Sequence, residues 1–191
     1  MKISTALTGV TPLLMHNVRL ARPDDDYTMA IAAITSKKSG MTIDDRREVA
    51  RLEFVGGLYI DDDGPFLPAA NIRRCFVQAA KVRRMGTKVE RALVVLDRQA
   101  TLEYPGPTKA DDLWKDPQFN YTTMVGIQQA KTVRTRPQFP QWRLSLEWEL
   151  LTDVMNLHDL KETVESAGQV EGLGDNRRNG YGRFTAVVGP A

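Results

Sequence analysis

Ten residues constrain the fold of this chain more than any others. From Trp142 to Leu151 the sequence alternates strictly. Trp142, Leu144, Leu146 and Trp148 fall on one side, and Arg143, Ser145, Glu147 and Glu149 on the other. Successive side chains of a strand point to opposite faces, so this segment is a strand with one face in a core and the other in water. A sheet covered on one face needs helices as its second layer.

The rest of the chain supplies them. Lys2 to Val10 alternates and reads as a first strand. A long connection, Thr11 to Asp26, leads to a short helix at Tyr27 to Thr35. Thr42, with Asp44 and Asp45 behind it, predicts an N-cap and a helix to about Val55, stopped by Gly56 and Gly57. Asp61-Asp62-Asp63-Gly64 reads as the turn of a short hairpin. The next helix, Ala70 to about Arg84, has an apolar stripe of Ile72, Phe76, Ala79 and Ala80. Its opposite stripe is Arg74, Gln78, Lys81 and Arg84. Arg91 to Tyr104 offers one or two strands, and Asp111 to Trp114 a helical turn. Met124 to Arg136 is β-rich and basic, punctuated by Pro137 and Pro140. Asn156 caps a helix running to about Ala167, with Gly168 as its stop, and Phe184 to Val188 is a last strand.

Setting aside an insertion at about 11–57 and a hairpin at about 121–143 leaves the order β-α-β-β-α-β. That order predicts an α+β fold of the ferredoxin-like (RRM-like) kind, in a single domain covering 1–191. A length of 191 residues with 42% hydrophobic content suffices for one well-buried core.

Several function classes fall away at this point. The lone cysteine, Cys75, leaves no internal disulfide and fits a reducing cytoplasm. One cysteine and two histidines do not make a common zinc site. No apolar run is long enough to span a membrane, and Met1 to Leu7 lacks a signal-peptide core. Net charge is only +2, yet it is segregated. Arg73 to Arg91 holds seven basic residues against Glu90, and Lys131 to Arg143 holds four with no acid. The acids collect at 24–26, 44–45, 61–63 and 111–112. If the basic segments meet in space, they make one polyanion-binding surface; otherwise each is a solvated face.

Gly172 to Phe184 concentrates the functional signal. Gly172, Gly174, Gly180 and Gly182 form two G-x-G pairs around Arg177 and Arg178, with Arg183 just after. Glycine reaches positive φ cheaply, and a guanidinium fork suits phosphate. Such a loop can wrap a phosphodiester backbone with N–H groups and arginines together; it can equally be a plain turn before the last strand. The order helix, loop, strand excludes the dinucleotide fingerprint, and the absence of a Gly-Lys-Ser/Thr ending excludes the P-loop.

Two segments resemble one family. Gly64 to Phe76 resembles the strand and helix opening of RAMP proteins, the repeat-associated subunits of CRISPR effector complexes. Gly172 to Phe184 resembles their glycine-rich loop, in the same place between second helix and last strand. Pro68-Ala69-Ala70-Asn71 stands where the family has glycine and two serines; only Asn71 keeps a small polar side chain. Val10 to His16 and Arg134 to Trp142 are further similar to small RAMP-like proteins of phages and prophages.

The resemblance implies a subunit that binds single-stranded RNA along its backbone and forms a homo-oligomer or filament with other effector subunits. Lys131, Arg134 and Arg136 would belong to a β-hairpin thumb. Arg177, Arg178 and Arg183 would contact phosphates on a loop shaped by Gly172, Gly174, Gly180 and Gly182. Tyr181 would stack on a base or pack under the loop. Arg73, Arg74 and Lys81 would line the first helix, with Asn71 at its start. A phage single-stranded DNA-binding or recombination-associated protein is the alternative on the same fold. A scaffold or inhibitor acting by protein contacts is another. No cofactor is expected unless the chain is a ribonuclease. In that case His16 is the general acid/base candidate, or Asp24, Asp25 and Asp26 hold a divalent metal. The bland readings are a packed histidine and a solvated turn.

Overall fold

The computed structural model describes the backbone of residues 1–127 and 130–191, and side chains outside 125–131. The alternating segment is the strand β9 (Arg143–Leu150), and its burial follows the alternation throughout. It lies between β1 (Lys2–Gly9) and β5 (Leu93–Val95), and β1 in turn pairs with β10 (Phe184–Pro190). The sheet order is β10-β1-β9-β5, every pairing antiparallel. The register sets Ile3 opposite Trp148, Thr5 opposite Leu146 and Leu7 opposite Leu144. All of these face the core.

Two helices cover that face. They are α3 (Ala69–Ala80) and α6 (Leu157–Ser166), which pack on each other and on the sheet. Phe76 of α3 meets Trp148 with ring centroids 5.9 Å apart. The buried Trp148 Nε1 donates to Thr5 Oγ1 at 2.9 Å, so the one polar atom of that indole is satisfied inside the core. Asn156 caps α6 as its sequence predicts, accepting from Asp159 N.

Between residues 11 and 57 lie β2 (Leu13–Leu14), α1 (Asp26–Thr35) and α2 (Ile43–Gly57). Thr42 and Asp45 close a capping box on α2. The short strands β3 (Ile60–Asp61) and β4 (Gly64–Pro68) form the expected hairpin, and β4 also pairs with β6 (Gln99–Thr101). After the helical turn α5 (Ala110–Lys115), β7 (Asn120–Ile127) and β8 (Ala130–Phe139) make the basic hairpin, which β2 extends.

Two expectations fail and one element is added, for identifiable reasons. The stretch Arg91 to Tyr104 holds two strands, β5 and β6, but a helix precedes them. After Arg84, a left-handed residue at φ 59°, the chain starts a further helix, α4 (Gly86–Ala92), which packs on α3. Gly168 does not stop α6; the chain continues as a π-helical turn, Ala167–Glu171, and ends at Gly172 with φ +74°. Gly168 is there for clearance, since a Cβ on it would lie 2.1 Å from Phe184 O of the last strand. Pro137 does not interrupt β8. It pairs opposite Asn120, and its carbonyl accepts from Met15 N at 3.0 Å.

Candidate nucleic-acid interface

The glycine loop is built from the inside outward. Gly172, Gly174 and Gly182 hold φ of +74°, +74° and +69°. A Cβ would lie 2.2 Å from Leu14 O at Gly174 and 1.9 Å from Leu173 O at Gly182. These positions need glycine for conformation and for space together. The loop's own hydrogen bonds explain the crowding. Leu173 N donates to Gly182 O, Asp175 N to Leu14 O and Gly182 N to Pro12 O, each at 2.8 Å. Thr11 adds a hydroxyl that donates to Gly180 O at 2.7 Å and accepts from Arg183 N at 2.9 Å. These three N–H groups are therefore engaged by the loop and by the Pro12–Leu14 segment and are not free for a phosphate.

Beneath it lies Cys75 of α3, whose Sγ donates to Gly172 O at 3.1 Å. Burial pushes this thiol up to about 12, so it is packing rather than chemistry.

The arginines do face one surface. A cleft along α3 is lined by Arg73, Arg74, Gln78, Lys81 and Arg84, with Glu90 at its edge. A second cleft, over the glycine loop, is lined by Arg177, Arg178 and Arg183 and again by Arg74 and Gln78. A third, lined by Asn71, Arg74, Arg177 and Gly174, runs from the loop to His16. Helix α3 and the glycine loop, distant in sequence, thus meet through Arg74, whereas the described side chains of the basic segment Lys131 to Arg143 line none of these three clefts. Gln78 lies on this surface as its stripe predicts, while Asp175, Thr11 and Glu53 also shape the region and the sequence reading missed their parts. Only Glu53 carried a signal: a charge between Leu52 and Phe54 in the buried stripe of α2.

Not every predicted cation points outward. Arg73 donates from Nε to Leu93 O at 2.9 Å and from its other end to Glu90 O, so it ties α3 to α4 and β5. Arg134 pairs with the buried carboxylate of Glu53, which also accepts from Thr135 N at 2.8 Å. Arg136 pairs with Asp175 of the glycine loop. Arg177 stands 3.7 Å from Glu171. Arg183 donates to Arg177 O at 3.3 Å while its buried Nη1 has no partner among the described residues. Arg74, Lys81, Arg84 and Arg178 are exposed and have no carboxylate partner among the described residues. The side chain of Lys131 lies outside the described residues.

Tyr181 is half-buried and leans on the hairpin rather than under its own loop. Its ring centroid is 5.2 Å from that of Tyr121 on β7, and the neighbouring Tyr121 hydroxyl raises its pKa. His16 lines the third cleft together with Arg74 and Arg177 and remains exposed. Desolvation by its surroundings lowers its pKa, with Asp175 opposing and Arg136 assisting.

The three aspartates do structural work. Asp25 caps α1, accepting from Tyr27 N at 3.0 Å, and pairs with Arg19. Asp24 pairs with Arg22, and Asp26 is the first residue of α1. Among the described residues no group of three or more His, Cys, Asp or Glu side chains is arranged to hold a metal. Among them, too, no helix is long and apolar enough to cross a membrane.

No family model matches this chain, and no curated protein matches it. Solved structures do. One chain from the cryo-EM structure of Type III-B Cmr-beta bound to cognate target RNA matches with a TM-score of 0.50 at 12% identity, covering 98% of this chain and 60% of that one. This chain therefore spans about three fifths of the length of that match. Cmr6 from Pyrococcus furiosus matches with a TM-score of 0.35 at 11% identity, covering 98% of each chain. At such identities the likeness concerns fold alone. Over nearly its whole length this chain is an α+β protein that shares its fold with a chain of Type III-B Cmr-beta.

Proposed function

We propose that the chain binds single-stranded nucleic acid, RNA foremost, along its sugar-phosphate backbone, as a subunit of a CRISPR-type effector assembly. One observation carries this reading: Arg74 and Gln78 line both the cleft on α3 and the cleft holding Arg177, Arg178 and Arg183. A row of guanidinium groups on one continuous surface matches a row of phosphates and reads no sequence. The likeness to a chain of Type III-B Cmr-beta, itself bound to target RNA, supports the choice of RNA over DNA.

On this reading the four-stranded sheet with α3 and α6 is a ferredoxin-like core in a single domain. The segment 11–57 is an insertion and the β7–β8 hairpin a thumb. Copies of the chain line up along the strand in the cytoplasm, with other effector subunits as further partners. Binding needs no cofactor.

Fluorescence anisotropy with labelled single-stranded RNA and DNA tests the proposal. The native protein binds RNA more tightly than DNA. Arg74→Glu/Arg178→Glu, with an unchanged circular dichroism spectrum, loses most of that affinity. An unchanged affinity in the double variant refutes the assigned surface, and preference for DNA moves the chain to the single-stranded DNA-binding class.

His16 supports a second reading, cleavage of the bound RNA. A lowered pKa keeps its imidazole neutral near pH 7, the form a general base needs. Metal-independent RNA cleavage that disappears in His16→Ala would establish it.

A further inference from the structure

We propose that the cavity between α1 and the β7–β8 hairpin takes a single nucleobase. The proposal rests on the strand-binding reading and adds a site to it. The cavity measures about 600 Å³, within the size range of small-ligand sites. Leu20, Ile31 and Ala32 make one wall, and Arg134, Arg136 and His16 line the same cavity.

Two features single it out. The first is α1 itself. Its sequence is apolar from Met29 to Ile34, yet none of its residues is buried. A helix of that composition ordinarily hides a face in the core, so an apolar surface is left without a covering. The second is continuity. His16 lines both this cavity and the cleft leading from Arg74 and Arg177. A strand following the arginine track reaches the cavity mouth at His16. The ligand fitting such a place has a flat apolar face and polar edges and hangs from a polyanion, which describes a base. The lining also carries imidazole and guanidinium planes, the groups on which unstacked bases are held, with the Glu53 carboxylate beside them already engaged by Arg134. A phosphate would gain nothing from the Ile31 and Ala32 wall.

The test is a cycle on the full chain. Ala32→Trp fills the cavity from an exposed position on α1 and removes no hydrogen-bonding side chain. The probes are a single-stranded RNA and the same ribose-phosphate chain lacking bases. The native protein binds the base-bearing strand roughly tenfold more tightly than the abasic one, and Ala32→Trp loses most of that ratio while binding the abasic strand as before. A single 2-aminopurine in the RNA changes its emission on binding to the native protein and not to the variant.

An equal ratio in both proteins, with emission unchanged by the substitution, overturns the proposal. Because the abasic strand is still bound in that case, the strand-binding reading survives; loss of all strand binding instead sinks that reading. Competition by a free nucleoside monophosphate identifies a free nucleotide as the source of the base, and its absence a base on the strand. If Ala32→Trp leaves both affinities alone but lowers the protein's mass in solution, the α1 face belongs to a protein contact and the base assignment falls.

Discussion

The salt dependence of binding follows from counting the cations left without carboxylates. Arg74, Lys81, Arg84 and Arg178 are exposed along the track in that state among the described residues, whereas Arg73 and Arg183, also without carboxylates, are held by backbone carbonyls. On a single strand each neutralised phosphate contributes about −0.7 to the slope of log affinity against log salt. These cations together predict a slope of about −3, so affinity falls roughly fiftyfold between ~50 and ~200 mM salt. Arg74→Ala/Arg178→Ala removes half of them, and the slope drops to about −1.4, a loss of roughly sevenfold over the same range. Anisotropy titrations at several salt concentrations measure both values. A native slope of about −4 would mean that Arg134 and Arg136 leave Glu53 and Asp175 for the strand. A native slope near zero, or equal slopes in the two proteins, refutes the assignment of these side chains to phosphates.

Three further outcomes are expected. Gly182→Ala loses more than about 3 kcal/mol of stability in urea titration, because left-handed strain and a backbone clash add. Gly180→Ala, whose Cβ would have no neighbour within 4 Å, loses only about 1–2 kcal/mol. Thr5→Val strands the buried Trp148 N–H and costs about 1–3 kcal/mol; a neutral result would mean that the indole finds another acceptor. His16 binds its proton less readily folded than unfolded, so the unfolded state takes up more protons as pH falls below about 6.5. Stability therefore declines as pH falls through that region, and His16→Asn flattens the decline in thermal melts. Parallel curves for the two proteins would contradict the desolvated placement of His16.

Much of the fold was legible because it is local. Strand β9 announces itself by alternation, α2 by Thr42 and Asp45, α6 by Asn156 and the loop by its glycines. Helix α4 was not, because Ala92 to Leu96 is apolar whether helical or extended. Only the packing of Val89 and Ala92 into the core decides the boundary between helix and strand.

Sequence by itself determined the layers of this protein: period-2 and period-3.6 patterns state which side of each element avoids water, and that fixes a sheet with helices on one face. It also marked the residues able to meet a phosphate. Only the tertiary structure decided which of them are free to do so. Arg134 and Arg136 look like Arg74 and Arg178 in the sequence, yet Glu53 and Asp175 claim the first two. Arg73 and Arg74 are adjacent, yet one binds backbone carbonyls and the other opens to three clefts. The physical reason is that charge is a property of a residue, whereas its availability depends on partners brought from far along the chain.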